Sequence, residues 1–182
     1  MYPTKIEANG NIYEINTDFR VALACFKAIN DEEITELEKF YAVETLLLGA
    51  NVDAKDSFIL NQKIQTYLRC GQTENIEDNE INFDYIQDEE YVRTSIRQCY
   101  QINLNNIPYM HWYEYNELIA GLTEDTLLSK IREIRSYDLS EVKDENQRKK
   151  IIEAKEKFAI KRKTIKTEKE KEIDIFWDTI LN

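Results

Sequence analysis

YMHWYEYNELIAGLTEDTLLSKIREIRS, residues 109–136, carries the pattern that decides the fold. Trp112, Tyr115, Ile119 and Leu122 recur at three- and four-residue intervals, which places them on one face of a helix. Leu127, Leu128, Ile131 and Ile134 do the same for a second helix. Pro108 resets the chain ahead of the first, expected over residues 110–120, and Gly121 ends it. Thr123 is expected to cap the second, over residues 124–135, by accepting a bond from an unpaired amide.

Helical spacing extends outward in both directions. Phe19, Leu23, Phe26 and Ile29 predict a helix over 18–29, with Thr17 or Asp18 as its cap. Ile34, Leu37, Tyr41 and Leu48 predict another over 31–48, terminated by Gly49. Phe58, Ile59, Gln62, Ile64 and Leu68 predict a third over 56–70, closed by Gly71. Residues 88–101 form a further helix on Tyr91, Ser95 and Cys99, with Val92 and Ile96 beside them. A last helix begins near Asp144 and runs into the tail. Residues 72–83, QTENIEDNEINF, are polar and without period, the pattern of a flexible connection. Residues 4–15, TKIEANGNIYEI, alternate about Asn9-Gly10, which readily takes the positive φ angles of a tight hairpin turn. The hairpin's apolar face, Ile6 with Ile12 or Tyr13 and Ile15, must lie on helices, because an isolated hairpin is marginal in water. The expected fold is mainly α: a bundle of six to seven helices with a small N-terminal β-hairpin.

Composition agrees. The 182 residues include only 4 Gly, 2 Pro and 1 His, too few turn formers for a many-stranded β protein. With 24 basic and 35 acidic residues the net charge is −11, so nucleic acid is not an expected partner. Residues 143–172 carry +5, however, from 12 basic and 7 acidic side chains. The remainder, with 12 basic and 28 acidic, carries −16. Two units are expected: a helical domain over 1–160 containing the hairpin, and a charged extension over 161–182. That extension closes on Ile173, Phe176, Trp177, Ile180 and Leu181, spaced as one face of a short amphipathic helix. Such a face either folds back on its own domain or docks on another protein, and its separation by charged residues favours a partner.

Little points to catalysis. His111 and Glu114 lie one turn apart, but a single His cannot supply a di-iron bundle, and no Cys or His spacing suits zinc. His111 is read as a capping or packing residue. The carboxylates of Asp88-Glu89-Glu90 and Glu77-Asp78 lack the calcium-loop pattern and read as solvated surface or helix N-termini. Cys25, Cys70 and Cys99 are widely spaced and read as buried thiols in a reducing cytoplasm. All four glycines have structural assignments, so none remains for a phosphate-binding loop, and no nucleotide, hydrolase or metalloprotease motif occurs. No enzymatic activity, cofactor or metal is expected. The apolar runs are too short for a membrane span, and no signal peptide is indicated. Among the aromatics of 109–115, Trp112 and Tyr115 are assigned to the core with Ile119, Phe19, Leu23 and Phe26.

Three stretches resemble the bacteriophage gene-product-fifteen family of long-tailed phages and prophages of Gram-positive bacteria. They are YEINTDFRVAL (13–23), YIQDEEYVRTSIRQCYQINL (85–104) and residues 109–151, where the His-Trp helix is followed by Ser129-Lys130-Ile131, Arg135 and Asp138-Leu139-Ser140. The likeness covers about 12–160, and the chain departs from the pattern beyond Ala159. The resemblance implies a small non-enzymatic protein encoded among tail genes, near the tape-measure gene. On that basis it is expected to be a tail assembly chaperone that binds the tape-measure protein, tail tube subunits or both. It would act in the host bacterial cytoplasm, with self-association open, and be absent from the mature virion. The competing expectations are a regulatory or counter-defence protein that binds a host factor, or a structural tail component. The family supplies no catalytic residues to transfer.

Overall fold

The computed structural model describes residues 1–71 and 82–161. Among them the fold is mainly α: seven helices, a short 3-10 turn and one two-stranded antiparallel hairpin. Strands β1 (Lys5–Ala8) and β2 (Asn11–Glu14) pair Ile6 with Tyr13 and Ala8 with Asn11. Asn9 and Gly10 hold φ of 49° and 83°, the left-handed pair that a two-residue turn between twisted strands requires. Ile6, Ala8 and Ile15 are buried and Tyr13 half-buried, whereas Ile12 faces water. Tyr13, and not Ile12, therefore completes the apolar face.

The helices are α1 (Phe19–Ile29), α2 (Glu36–Leu48), α3 (Ser57–Leu68), α4 (Glu89–Tyr100), α5 (Trp112–Ala120), α6 (Leu127–Ser136) and α7 (Glu145–Phe158). α1 packs on α2 and α5, α3 on α2 and β1, and α4 on α5 and α6, with α7 laid along α6. Trp112 sits at the centre. Its ring lies 5.1 Å from that of Tyr85, 5.7 Å from Tyr115 and 5.8 Å from Phe26. Its indole N–H donates to the Leu68 carbonyl at 3.1 Å, so the one polar atom of a fully buried side chain is satisfied.

Several helix starts fall later than periodicity predicts, each for an identifiable reason. α2 begins at Glu36, not at residue 31, because Thr35 and Glu38 form a reciprocal capping box there. Asp31 meanwhile turns the chain by accepting the Glu33 amide. The expected α2 stripe is also displaced: Leu37 and Tyr41 are exposed, and the buried positions are Val43, Glu44 and Leu47. In α3 the buried face is Leu60, Ile64, Tyr67 and Leu68, while Phe58 and Gln62 point to water. α5 begins at Trp112 because Met110 and His111 are extended. The Phe19 amide donates to the Met110 carbonyl at 3.0 Å, and the Trp112 amide to the Thr17 carbonyl at 2.8 Å. α6 begins at Leu127, not at 124. Thr123 to Thr126 form a turn, and the buried Ser95 hydroxyl of α4 accepts the Leu128 amide at 2.9 Å. α7 ends at Phe158. Gly121 does end α5, but with φ −88°. A Cβ there would stand 2.6 Å from the Tyr100 hydroxyl, so a larger residue would force that side chain to shift.

Candidate functional site

Of the expected core residues, Phe19, Leu23, Trp112, Tyr115 and Ile119 are buried and Phe26 is half-buried against them. The expected docking face, Ile173, Phe176, Trp177, Ile180 and Leu181, lies outside the described residues, as does most of the connection over 72–83.

His111 is buried and acts at the start of α5. Its Nδ1 accepts the Tyr113 amide at 3.0 Å and its Nε2 lies 3.1 Å from the Pro3 carbonyl. The network thus assigns the hydrogen to Nε2, with the ring stacked on Tyr2 at 4.7 Å. A ring with both nitrogens committed is a cap that also anchors the N-terminus. Among the described residues no group of three or more His, Cys, Asp or Glu is placed to hold a metal ion. No helix among them is long and apolar enough to cross a membrane. The three cysteines are free, and burial pushes the Cys25 thiol up to about 12 and that of Cys70 up to about 11. Neither is a ready nucleophile at neutral pH.

The run Asp88-Glu89-Glu90 does stand at a helix N-terminus, that of α4, but Asp88 is not solvated. It is fully buried in a bidentate pair with Arg135, both bonds 2.7 Å. Arg135 also donates to the Asn82 carbonyl at 2.9 Å and to the Phe158 carbonyl at 2.7 Å. One guanidinium thereby joins α4, α6, the end of α7 and the segment entering α4. Next to it, the Lys161 amide donates to the Gln87 side chain at 2.9 Å, and Gln87 returns a bond to the Lys161 carbonyl at 3.2 Å.

Among the described residues, two surface features stand out. The first is a cleft of about 300 Å³ between α1 and α4. Phe19, Leu23, Leu104 and Tyr115 line it, with Arg20, Lys27, Arg93, Glu89 and Asn105 completing the wall. Arg20 pairs with Asp18 at 3.0 Å and reaches the Ile107 carbonyl at 2.6 Å, and Lys27 pairs with Glu89 at 3.3 Å. The second is the outer side of α2, where Leu37 and Tyr41 are 54% and 53% exposed one turn apart. Sequence reasoning missed both, because it placed Leu37 and Tyr41 on the apolar stripe of their helix and had no means to bring Arg20 and Arg93 together.

Comparison with curated proteins finds no match, and neither does comparison with solved structures. The family model described as bacteriophage Gp15 protein matches residues 2–160, which takes in every helix described above, and the chain belongs to that family.

Proposed function

We propose that the protein is a non-enzymatic tail assembly chaperone that binds the phage tape-measure protein, tail tube subunits or both during tail morphogenesis. Membership of a phage family supports a role in the phage life cycle, and the resemblance described above implies a tail gene. The observation that carries the reading is the pair Leu37 and Tyr41, exposed on one side of α2 beside Glu36 and Glu38. Single exposed apolar residues are ordinary, but two large ones a turn apart offer a helical client a place to lay its apolar stripe. The surrounding carboxylates keep such a complex in solution. In this reading the terminal face of Ile173, Phe176, Trp177, Ile180 and Leu181 adds a second contact to the client. The protein works in the host cytoplasm and leaves before the particle is complete.

Co-expression with the tape-measure protein of the same phage tests this. A soluble complex that co-purifies, and is weakened by Leu37→Glu with Tyr41→Glu, is the expected result. Failure of the full-length protein to solubilise or retain the tape-measure protein removes the mechanism. Mass spectrometry of finished particles should find no copies, and its detection there would make the protein a structural tail component.

A further inference from the structure

We infer that α7 of one copy docks on the exposed side of α2 of a second copy, so that the free protein associates with itself. The inference rests on α2 and α7 alone and stands whether or not the tape-measure protein is the client. The α2 surface is apolar at its centre and acidic around it. Leu37 and Tyr41 are exposed one turn apart, with the Phe40 ring 5.4 Å from that of Tyr41. Residues 31–38, DEEITELE, bring five carboxylates and no cation to the start of that helix. Lys39, the cation that follows, pairs with Glu36 inside α2. Glu33 stands one turn ahead of Leu37 and enters none of the ion pairs among the described residues.

α7 has the converse chemistry. Its inner face is Ile151, Ala154, Lys155 and Phe158, all half-buried, and the helix buries no residue fully. Ile152 is exposed beside that face, with Arg148 and Lys149 one turn before it on the solvent side. Residues 148–157, RKKIIEAKEK, hold five cations against two carboxylates, and none of the ion pairs among the described residues involves them. The two surfaces do not meet within one chain. α7 is held along α6 by the bonds of Arg135 to Phe158 and of Lys155 to Tyr137, α2 packs on α1 and α3, and Leu37, Tyr41 and Ile152 all remain exposed. Two copies of net charge −11 repel in most orientations, and laying the basic helix on the acidic one is the orientation that attracts. Each copy carries both surfaces, so the contact is made twice in a two-fold dimer or passes from copy to copy around a ring or along a chain.

Sedimentation velocity of the full-length protein over a range of concentrations reads the contact. It should show masses above that of one chain, falling toward it as salt is raised. Reversing α7 with Arg148→Glu and Lys149→Glu, or α2 with Glu33→Lys and Glu36→Lys, should each weaken association about tenfold or more. An equimolar mixture of the two variants should associate again, because the acidic α7 of one meets the basic α2 of the other and the two unaltered surfaces still match. Ile152→Ser should weaken association with no change of charge. Far-ultraviolet circular dichroism of each variant should equal that of the parent. Where a reversal disturbs folding, Arg148→Gln with Lys149→Gln should give a smaller loss and serves in its place. A single-chain mass at every concentration overturns the inference and leaves the α2 surface to a different protein. Association indifferent to either reversal, or lost in both variants and not restored by mixing them, overturns it as well.

Discussion

Arg135 is half-buried against the fully buried Asp88, and its guanidinium is accounted for by the Asp88 carboxylate and the carbonyls of Asn82 and Phe158. Truncating one member of such a pair strands the other charge without solvent, which typically costs about 3–5 kcal/mol. Arg135→Ala should lower unfolding stability in urea by that amount, and Arg135→Lys, which keeps charge but not the fork, by less. Asp56 is a second buried carboxylate, tying the hairpin to the start of α3. Hydrogen bonds from Asn11 and Tyr13, each 2.7 Å, hold its pKa below the usual carboxylate range against the opposing effect of burial, with Asn9 at 2.8 Å assisting. A lowered folded value means stability that is full above about pH 4, the unfolded value, and is lost as pH falls through the folded one. Glu44 works in the opposite sense. Burial raises its pKa against a hydrogen bond from Ser57, so its contribution is present below about pH 4 and lost as pH rises through the folded value. Melting across pH should therefore show Asp56→Asn with a shallower acid limb than the parent. Glu44→Gln should gain stability at pH 7 and nothing at pH 4. Neither carboxylate was legible in the sequence, because burial of a charge depends on partners 43 to 47 residues away, as Asp56 shows with Tyr13, Asn11 and Asn9.

Helix starts are decided by competition for the first unpaired amides, and α2 is the clearest case. The Thr35 hydroxyl accepts the Glu38 amide, and the Glu38 carboxylate accepts the Thr35 amide, so both ends of the box are closed. Thr35→Ala should cost about 1 kcal/mol, measured by urea unfolding. The signature Thr-x-x-Glu was present in the sequence, but the apolar Ile34 upstream extended the periodic pattern past it. Where apolar spacing was strongly one-sided, as in α1, α4 and α5, the faces were legible. α2 and α3 are different because their large apolar residues are spread round the helix, Leu37, Tyr41 and Phe58 on the open side and Val43, Leu47, Leu60 and Ile64 on the covered one. Period alone cannot divide such a helix into a covered side and an open one. Hence Leu37, Tyr41 and Phe58, which share the apolar stripes that predict α2 and α3, face water, and the open side of α2 is not legible from spacing.

At the scale of the molecule, the described chain is closed near its end by bonds from Arg135 to Phe158 and between Gln87 and Lys161. A chain ending at Lys161 should therefore retain a single cooperative melt and the parent's helical circular dichroism. Loss of that melt would make the remaining residues part of the core. α7 itself buries no residue and lies along α6, held by the Lys155 ammonium on the Tyr137 carbonyl at 2.7 Å. The bridge between residues 17–19 and 110–112 has a further consequence, in the order of events during synthesis. The hairpin can be pinned to α3 as soon as Asp56 has been made, but α1 acquires its backbone partner only when Met110 and Trp112 follow, more than ninety residues after Thr17. Contacts so distant in sequence close late, after their loop entropy has been overcome. A ribosome carrying the first hundred residues thus presents α1 with the central tryptophan still missing, and the translation of a single short stretch, 109–112, is the moment at which the body becomes able to close.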